Sequence, residues 1–357
     1  MSNETSASES TPLRRPENRT PVPNVAQSNS NSRQTTINSN HSGDNNNYGD
    51  SVQVRLQEQD KDSDSEQQRT ATMDANKRIL CRVGLDVLIL LCAGFPILLF
   101  FLLGDPYKRG FFCDDDSLKH PFHDSTVRNW MLYFIGAVIP VGVICIVEVI
   151  ISQNKASKDN GNSSSRRYVF MNYELPDWMI ECYKKVGIYA FGAVLSQLTT
   201  DIAKYSIGRL RPHFIAVCQP EMPDGTTCAD PINAGKYIEE FTCKGVGSSA
   251  RMLKEMRLSF PSGHSSFTFF AMVYLALYLQ ARMTWRGSKL LRHLLQFLFI
   301  MVAWFTALSR VSDYKHHWSD VLAGSLIGTI CALVVSYGLP MSWFNLQTVW
   351  PAKSKAK

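Results

Sequence analysis

The chain has 357 residues and a formal net charge of +6, from 37 basic against 31 acidic side chains. That surplus is too small and too scattered to make the concentrated basic face with readable motifs that nucleic-acid binding needs, so no nucleic-acid partner is expected. Length alone would allow two soluble domains, but the composition is uneven, and a mean hydropathy just below zero conceals a very apolar remainder.

Residues 1–74 are rich in Ser, Asn, Thr, Gln and Asp and contain no apolar run. Such a segment cannot bury enough surface to offset its ordering entropy, so it reads as a disordered cytoplasmic tail. No short apolar core follows Met1, and no signal peptide is predicted. Six later runs, near 79–103, 130–151, 186–204, 265–283, 290–308 and 320–339, approach the roughly 20 apolar residues that a helix needs to cross a bilayer. Gly94 and Pro96 in the first are tolerable in a membrane helix. The predicted fold class is all-α: a polytopic membrane domain of six transmembrane helices over 75–345, followed by a short basic cytoplasmic tail over 346–357.

Lys and Arg near the spans set the orientation. Lys77, Arg78 and Arg82 precede the first span. Lys155, Lys158, Arg166, Arg167, Lys184 and Lys185 lie between the second and third, and Arg282, Arg286, Lys289 and Arg292 between the fourth and fifth. Those segments belong on the cytoplasmic face, which puts both termini in the cytosol. The sequons at Asn3, Asn18, Asn40 and Asn162 fall on that side and are expected to stay unmodified. Asp86 and Glu148, inside apolar runs, read as helix-packing or interfacial groups. Cys113, Cys218, Cys228 and Cys243 fall in the opposite, outer loops, where an oxidising lumen would permit disulfides whose connectivity the sequence leaves open.

Three segments about fifty residues apart gather an inventory suited to a phosphate ester: Lys204 with Arg211-Pro212, Pro261-Ser262-Gly263-His264, and Ser309-Arg310 with His316 and Asp320. They supply three cations, two histidines and one carboxylate, with no cluster of metal ligands, so no metal or other cofactor is expected. All three fall at the outer ends of spans, a condition for a shared pocket. Lys204 and Arg211 are seven residues apart, so a continuing helix would present both on one face until Pro212 stops it. Taken alone they could equally be interfacial anchors. Ser262, Gly263 and His264 open an apolar helix whose unpaired N–H groups favour an anion, although Ser262 and Ser265 could each be only a cap. His316 and Asp320 stand four apart on one helix face, where a carboxylate bonded to one ring nitrogen would leave the other free to attack. His317, three residues from Asp320, is a rival that this reasoning leaves open. Arg310 suits bidentate phosphate binding. Gly324 and Gly328 extend a small-residue stripe fit for close helix packing.

The pattern K-x6-RP, PSGH, SR-x5-H-x3-D resembles that of the type 2 phosphatidic acid phosphatase superfamily, which includes lipid phosphate phosphatases and vanadate haloperoxidases. About 79–340 resembles the animal lipid phosphate phosphatases, insect Wunen-like members above all, through Lys108-Arg109-Gly110-Phe111-Phe112-Cys113-Asp114-Asp115 and Phe260-Pro261-Ser262-Gly263-His264-Ser265-Ser266-Phe267. Many vertebrate members carry Tyr where this chain has Pro261, and the large outer loop lacks a sequon. The resemblance selects His316 over His317 as the nucleophile that becomes a phosphohistidine, with Asp320 orienting it and His264 protonating the departing alkoxide. It assigns Lys204, Arg211, Arg310, Ser262 and the Gly263 amide to the phosphate oxygens. It implies a metal-independent phosphatase of the plasma membrane with an extracellular or lumenal active site. Its substrate partner would be a phosphorylated lipid at the outer leaflet: phosphatidate, lysophosphatidate, sphingosine 1-phosphate or ceramide 1-phosphate. A catalytically silent relative serving as a lipid-binding or scaffolding membrane protein is disfavoured because no motif position is missing, and the six spans argue against a largely soluble haloperoxidase. A transporter would move substrate without releasing phosphate. A homo-oligomer is compatible with the sequence.

Overall fold

The computed structural model describes residues 76–158, 168–170, 173–283 and 289–338. The expected tails over 1–74 and 346–357, and all four sequons, lie outside them. Among the described residues, five helices are long and apolar enough to cross a membrane: α1 (Asn76–Leu103), α2 (Asn129–Lys155), α3 (Asp177–Ile207), α7 (Leu290–Ser312) and α8 (Trp318–Gly338). Between α3 and α7 come two short helices, α4 (Phe214–Cys218) and α5 (Ala250–Glu255), and the 20-residue α6 (Gly263–Arg282). The run expected to be the fourth span is α6, and it falls short of the others in apolarity. Its position explains why. It packs on α2, α3, α7 and α8, and Phe270, Ala271, Met272 and Leu275 are completely buried. A helix enclosed by other helices need not carry the oil-like side chains that lipid demands.

The faces that meet are built for close approach. A methyl group on Gly324 would strike the Ser262 carbonyl oxygen, and one on Gly328 the Ser266 carbonyl oxygen. The stripe of small residues on α8 therefore lies directly against the backbone of α6. On the other side of α6, Thr200 Oγ1 donates to Ser266 Oγ at 2.8 Å, and Ser196 and Ser266 hydroxyls are 3.0 Å apart. Buried hydroxyls on facing helices thus satisfy one another. Toward the other end of the bundle, Arg282 reaches Glu148 through Nε at 2.8 Å and Nη2 at 2.5 Å, and Tyr278 donates to the same carboxylate at 2.9 Å. Asp86 accepts from Tyr183 at 2.7 Å. Both acids inside apolar runs therefore link one helix to another.

The loops 104–128 and 208–262 form a small module on one end of the bundle. Cys113–Cys228 and Cys218–Cys243 are bonded, which fixes the connectivity. Phe111, Phe214 and Phe241 meet edge to face beside them, with Phe214 fully buried. The chain is predominantly helical as expected, but among the described residues three short antiparallel pairs are also present: in this module β1 (Phe111–Phe112) with β5 (Tyr237–Ile238) and β4 (Pro220–Glu221) with β6 (Thr242–Cys243), and between α2 and α3 the pair β2 (Tyr168–Phe170) with β3 (Tyr173–Leu175). Strands of two or three residues are too short to leave a period-two signal in the sequence.

A correction concerns the end of α3. The helix stops at Ile207, where Gly208 adopts φ +60 and sends its N–H to the Lys204 carbonyl at 3.1 Å. Glycine at a left-handed helix terminus outranks the proline four residues on. A side chain there would also strike the Tyr107 carbonyl. Arg211 consequently leaves from a loop, not from the helix face that carries Lys204.

Candidate active site

Lys204 ends α3, Gly263 and His264 begin α6, Arg310 lies near the end of α7, and His316 sits in the turn before α8. All of these ends lie beneath the disulfide-bonded module, and the five residues line one cavity together with Arg211. At about 1380 Å³ it exceeds the 300–1,000 Å³ of most small-molecule sites. Ser262 and Asp320, both completely buried, stand behind its wall instead.

Each cation is held by the local chain. Arg211 donates its backbone N–H to the Met256 carbonyl at 2.8 Å. Arg310, 1% exposed, gives Nη2 to Asp313 Oδ2 at 2.9 Å and to Ser309 Oγ at 3.0 Å. Its carbonyl accepts the N–H groups of Lys315 and His316 at 3.1 and 3.2 Å, so the guanidinium and the imidazole are fixed to one peptide. Asp313 also accepts from the Thr126 N–H and hydroxyl at 2.8 and 2.7 Å, which ties the 119–128 loop over the cavity. Lys204 Nζ lies 3.7 Å from Asp201 Oδ1. A methyl group on Gly263 would come within 2.8 Å of that ammonium, so glycine at 263 makes room for Lys204.

Two buried polar atoms on the cavity wall have no hydrogen-bond partner: Arg211 Nε and His264 Nε2. The other side of the His264 ring is engaged by the Val127 backbone. A donor or acceptor buried without a partner costs roughly 1–3 kcal/mol; an oxyanion ligand would remove that cost at Arg211 Nε, and at His264 Nε2 once the ring is protonated.

His316 Nδ1 lies 2.7 Å from the Ser259 carbonyl oxygen. A carbonyl can only accept, so Nδ1 carries the proton and Nε2 keeps its lone pair. Burial, reinforced by Arg211, Lys204 and His264, holds the His316 pKa well below that of an ordinary histidine, so the ring is neutral near pH 7. The expected direct bond from Asp320 is replaced. Its Oδ2 is 3.9 Å from Nδ1 and accepts instead from the Ser259 hydroxyl at 2.6 Å and the His317 N–H at 3.1 Å, while Oδ1 accepts from Arg209 Nη1 at 2.6 Å. Four-residue spacing put Asp320 and His316 near each other, but His316 precedes the helix, and the Ser259 carbonyl takes its proton first. His316 and His317 differ in position: His316 lines the cavity and His317 does not. His317 Nε2 donates to the Leu210 carbonyl at 3.1 Å, and the residue caps α8 away from the cavity.

Sequence reasoning missed several lining residues. Lys315 is buried against the Phe122 ring at 3.5 Å, and burial beside Arg211 and Arg310 lowers its pKa to about 8. His213, also on the wall, donates Nδ1–H to the Tyr314 carbonyl at 2.8 Å, and burial lowers its pKa to about 4, so the ring is neutral near pH 7. Adjacency of Lys315 to His316 was the only available signal, since a loop has no periodicity to read.

Residues 185–344 match the family model described as the PAP2 superfamily. A Drosophila melanogaster protein named "Putative phosphatidate phosphatase" is 89% identical over 94% of this chain and 89% of its own length. Rattus norvegicus phospholipid phosphatase 1 is 44% identical, and Homo sapiens phospholipid phosphatase 2 is 42% identical. Each covers 71% of this chain, and the matches span 83% and 82% of their respective lengths. No solved structure matches the chain.

Proposed function

The chain belongs to the PAP2 superfamily of phosphatidate and phospholipid phosphatases, and from that premise we propose that it hydrolyses lipid phosphomonoesters without a divalent metal, through a phosphohistidine on His316. The observation that carries this reading is a cavity lined both by Lys204, Arg211, His264, Arg310 and His316 and by the apolar side chains Ile97, Leu98 and Phe101 of α1, Leu132 of α2 and Phe267 of α6. A phosphate headgroup suits the first set and an acyl chain the second. Phosphatidate, lysophosphatidate, sphingosine 1-phosphate and ceramide 1-phosphate all have that shape.

In this mechanism His316 Nε2 attacks phosphorus in line with the ester oxygen. Lys204, Arg211, Arg310 and the N–H groups opening α6 hold the equatorial oxygens, where positioning and charge stabilisation supply most of the rate. Three cations provide the positive charge that a divalent ion would otherwise bring. His264, protonated once the dianion faces it, gives its Nε2 proton to the departing alkoxide. It then takes a proton from the water that cleaves the N–P bond, and phosphate leaves. Counting α6 as a sixth span puts both termini in the cytosol and the cavity outside it, at the plasma membrane, where an oxidising environment suits the two disulfides.

Protein purified in detergent should release inorganic phosphate from lysophosphatidate in excess EDTA, and His316→Ala should abolish the release. Intact cells carrying the protein should act on lysophosphatidate added outside. A requirement for divalent metal, or turnover retained without His316, would defeat the proposal.

A further inference from the structure

Ser259 lies outside the sequence motifs yet bonds to residues of the first and third of them. It is completely buried. Its N–H donates to the Arg209 carbonyl at 3.0 Å, within the Lys204–Arg211 segment. Its hydroxyl donates to Asp320 Oδ2 at 2.6 Å, and its carbonyl accepts from His316 Nδ1 at 2.7 Å. Arg209 closes the circuit by binding Asp320 Oδ1 at 2.6 Å and the Ser319 hydroxyl at 2.8 Å. Ser262, the N-cap residue of α6, sends its N–H to the Asp320 carbonyl at 2.9 Å, so the circuit also fixes the start of that helix.

The geometry points to Ser259 and Arg209 as positioning residues for the nucleophile: Asp320 acts on His316 through Ser259, with Arg209 clamping the carboxylate. The inference rests on His316 being the nucleophile of the proposed phosphatase. A carboxylate 3.9 Å from Nδ1 is too far to hold the imidazole proton itself. The carbonyl that does hold it belongs to a peptide whose orientation is set at both of its other polar groups. Fixing that carbonyl fixes the tautomer and aims Nε2 into the cavity, the role that the partner of a catalytic imidazole usually fills directly. Arg209 is the outermost member, a third exposed, and binds the oxygen of Asp320 that faces away from Ser259. Neither residue reaches the phosphate, so neither should alter substrate binding much.

The test combines kinetics with a readout that does not need turnover. In phosphate release from lysophosphatidate, Ser259→Ala should lower kcat about 10- to 100-fold with KM within about threefold. Asp320→Asn combined with Ser259→Ala should be no slower than the worse single variant, because both interrupt one line of contacts. Arg209→Ala should lower kcat about tenfold or less, and Arg209→Lys should restore most of that loss, which also covers the case in which the buried Ser259 variant folds poorly. In protein labelled with 15N-histidine, the His316 signal should report a protonated Nδ1 and a bare Nε2, and Ser259→Ala should remove that fixed tautomer. Unchanged kcat in Ser259→Ala with activity abolished in Asp320→Asn, or multiplicative losses in the double variant, would show that Asp320 acts directly. A His316 tautomer indifferent to Ser259→Ala overturns the inference whatever the activity. A wild-type protein that releases no phosphate but keeps the Ser259-dependent tautomer sinks the phosphatase reading alone.

Discussion

In Gly263→Ala the new methyl carbon would sit 2.8 Å from Lys204 Nζ, 3.6 Å from Lys204 Cε and 3.9 Å from Thr200 Cγ2. Ordinary contacts are about 3.5–4.0 Å, so the ammonium must retreat by roughly 1 Å. The obstacle is the end of a flexible side chain, which can turn away at little cost. Alanine is moreover favoured over glycine in a helix by up to about 1 kcal/mol, so stability should hold or rise slightly. The loss falls on catalysis. Removing a preorganised donor outright costs about 3 kcal/mol, and displacement by about 1 Å can cost about 100-fold, so kcat/KM should fall roughly 10- to 100-fold. In the proposed mechanism Lys204 would hold the phosphate in the ground state and more tightly in the transition state, so KM should rise together with the fall in kcat. The measurement is steady-state phosphate release from lysophosphatidate micelles, paired with a melting curve of the same detergent preparation. Activity within twofold of wild type, or a melting temperature several degrees lower, would refute the account of why glycine occupies this position.

Gly324→Ala meets main chain instead of a flexible tip, since its methyl would strike the Ser262 carbonyl and lie 3.2 Å from Ser265 Cβ. Thermal unfolding should show a destabilisation of about 1–3 kcal/mol, with activity falling as α6 is pushed from α8. Opening the Cys113–Cys228 bridge with Cys113→Ser/Cys228→Ser should cost about 2–4 kcal/mol, read from melting curves, because that bond joins the two loops roofing the cavity. Acid should weaken the fold through His213, His316 and His317, all less readily protonated when folded than unfolded. Their contribution is complete above the unfolded value near 6.5 and is lost as pH falls toward the folded values, which for His213 is about 4. His213 alone accounts for about 1 kcal/mol between pH 7 and 5.5, so His213→Asn should flatten the dependence of melting temperature on pH, and an unchanged slope would count against it.

The membrane helices were legible because about twenty apolar residues in a row have few other uses, and five of the predicted runs are helices of sufficient length and apolarity. Residue type and the motif pattern could name the cavity-lining side chains Lys204, Arg211, His264 and Arg310, while the choice of His316 over His317 came from the family resemblance. None of these could place them. The end of α3 at Gly208 depended on a left-handed turn wedged under Tyr107, a long-range contact. Cysteine pairing across 115 residues depended on how two loops fold together. Ser259 was invisible because its contribution is made largely by the main chain, and every residue has a carbonyl. His316 and His317 have the same side chain, and only packing distinguishes one that points into a cavity from one that caps a helix.

The enclosed position of α6 bears on how the topology of such chains is tallied. Its Ser265, Ser266, Thr268, Tyr274, Tyr278 and Gln280 dilute its oiliness, so a census by hydropathy passes over the helix that carries His264. The tally then comes out odd, and an odd number of crossings assigns the two chain ends to opposite compartments. Counting the interior helix as a crossing would make the number even and return them to the same side. An error of one segment, introduced by the residues that fit α6 for the middle of the bundle, would invert the assigned sidedness of everything that follows it.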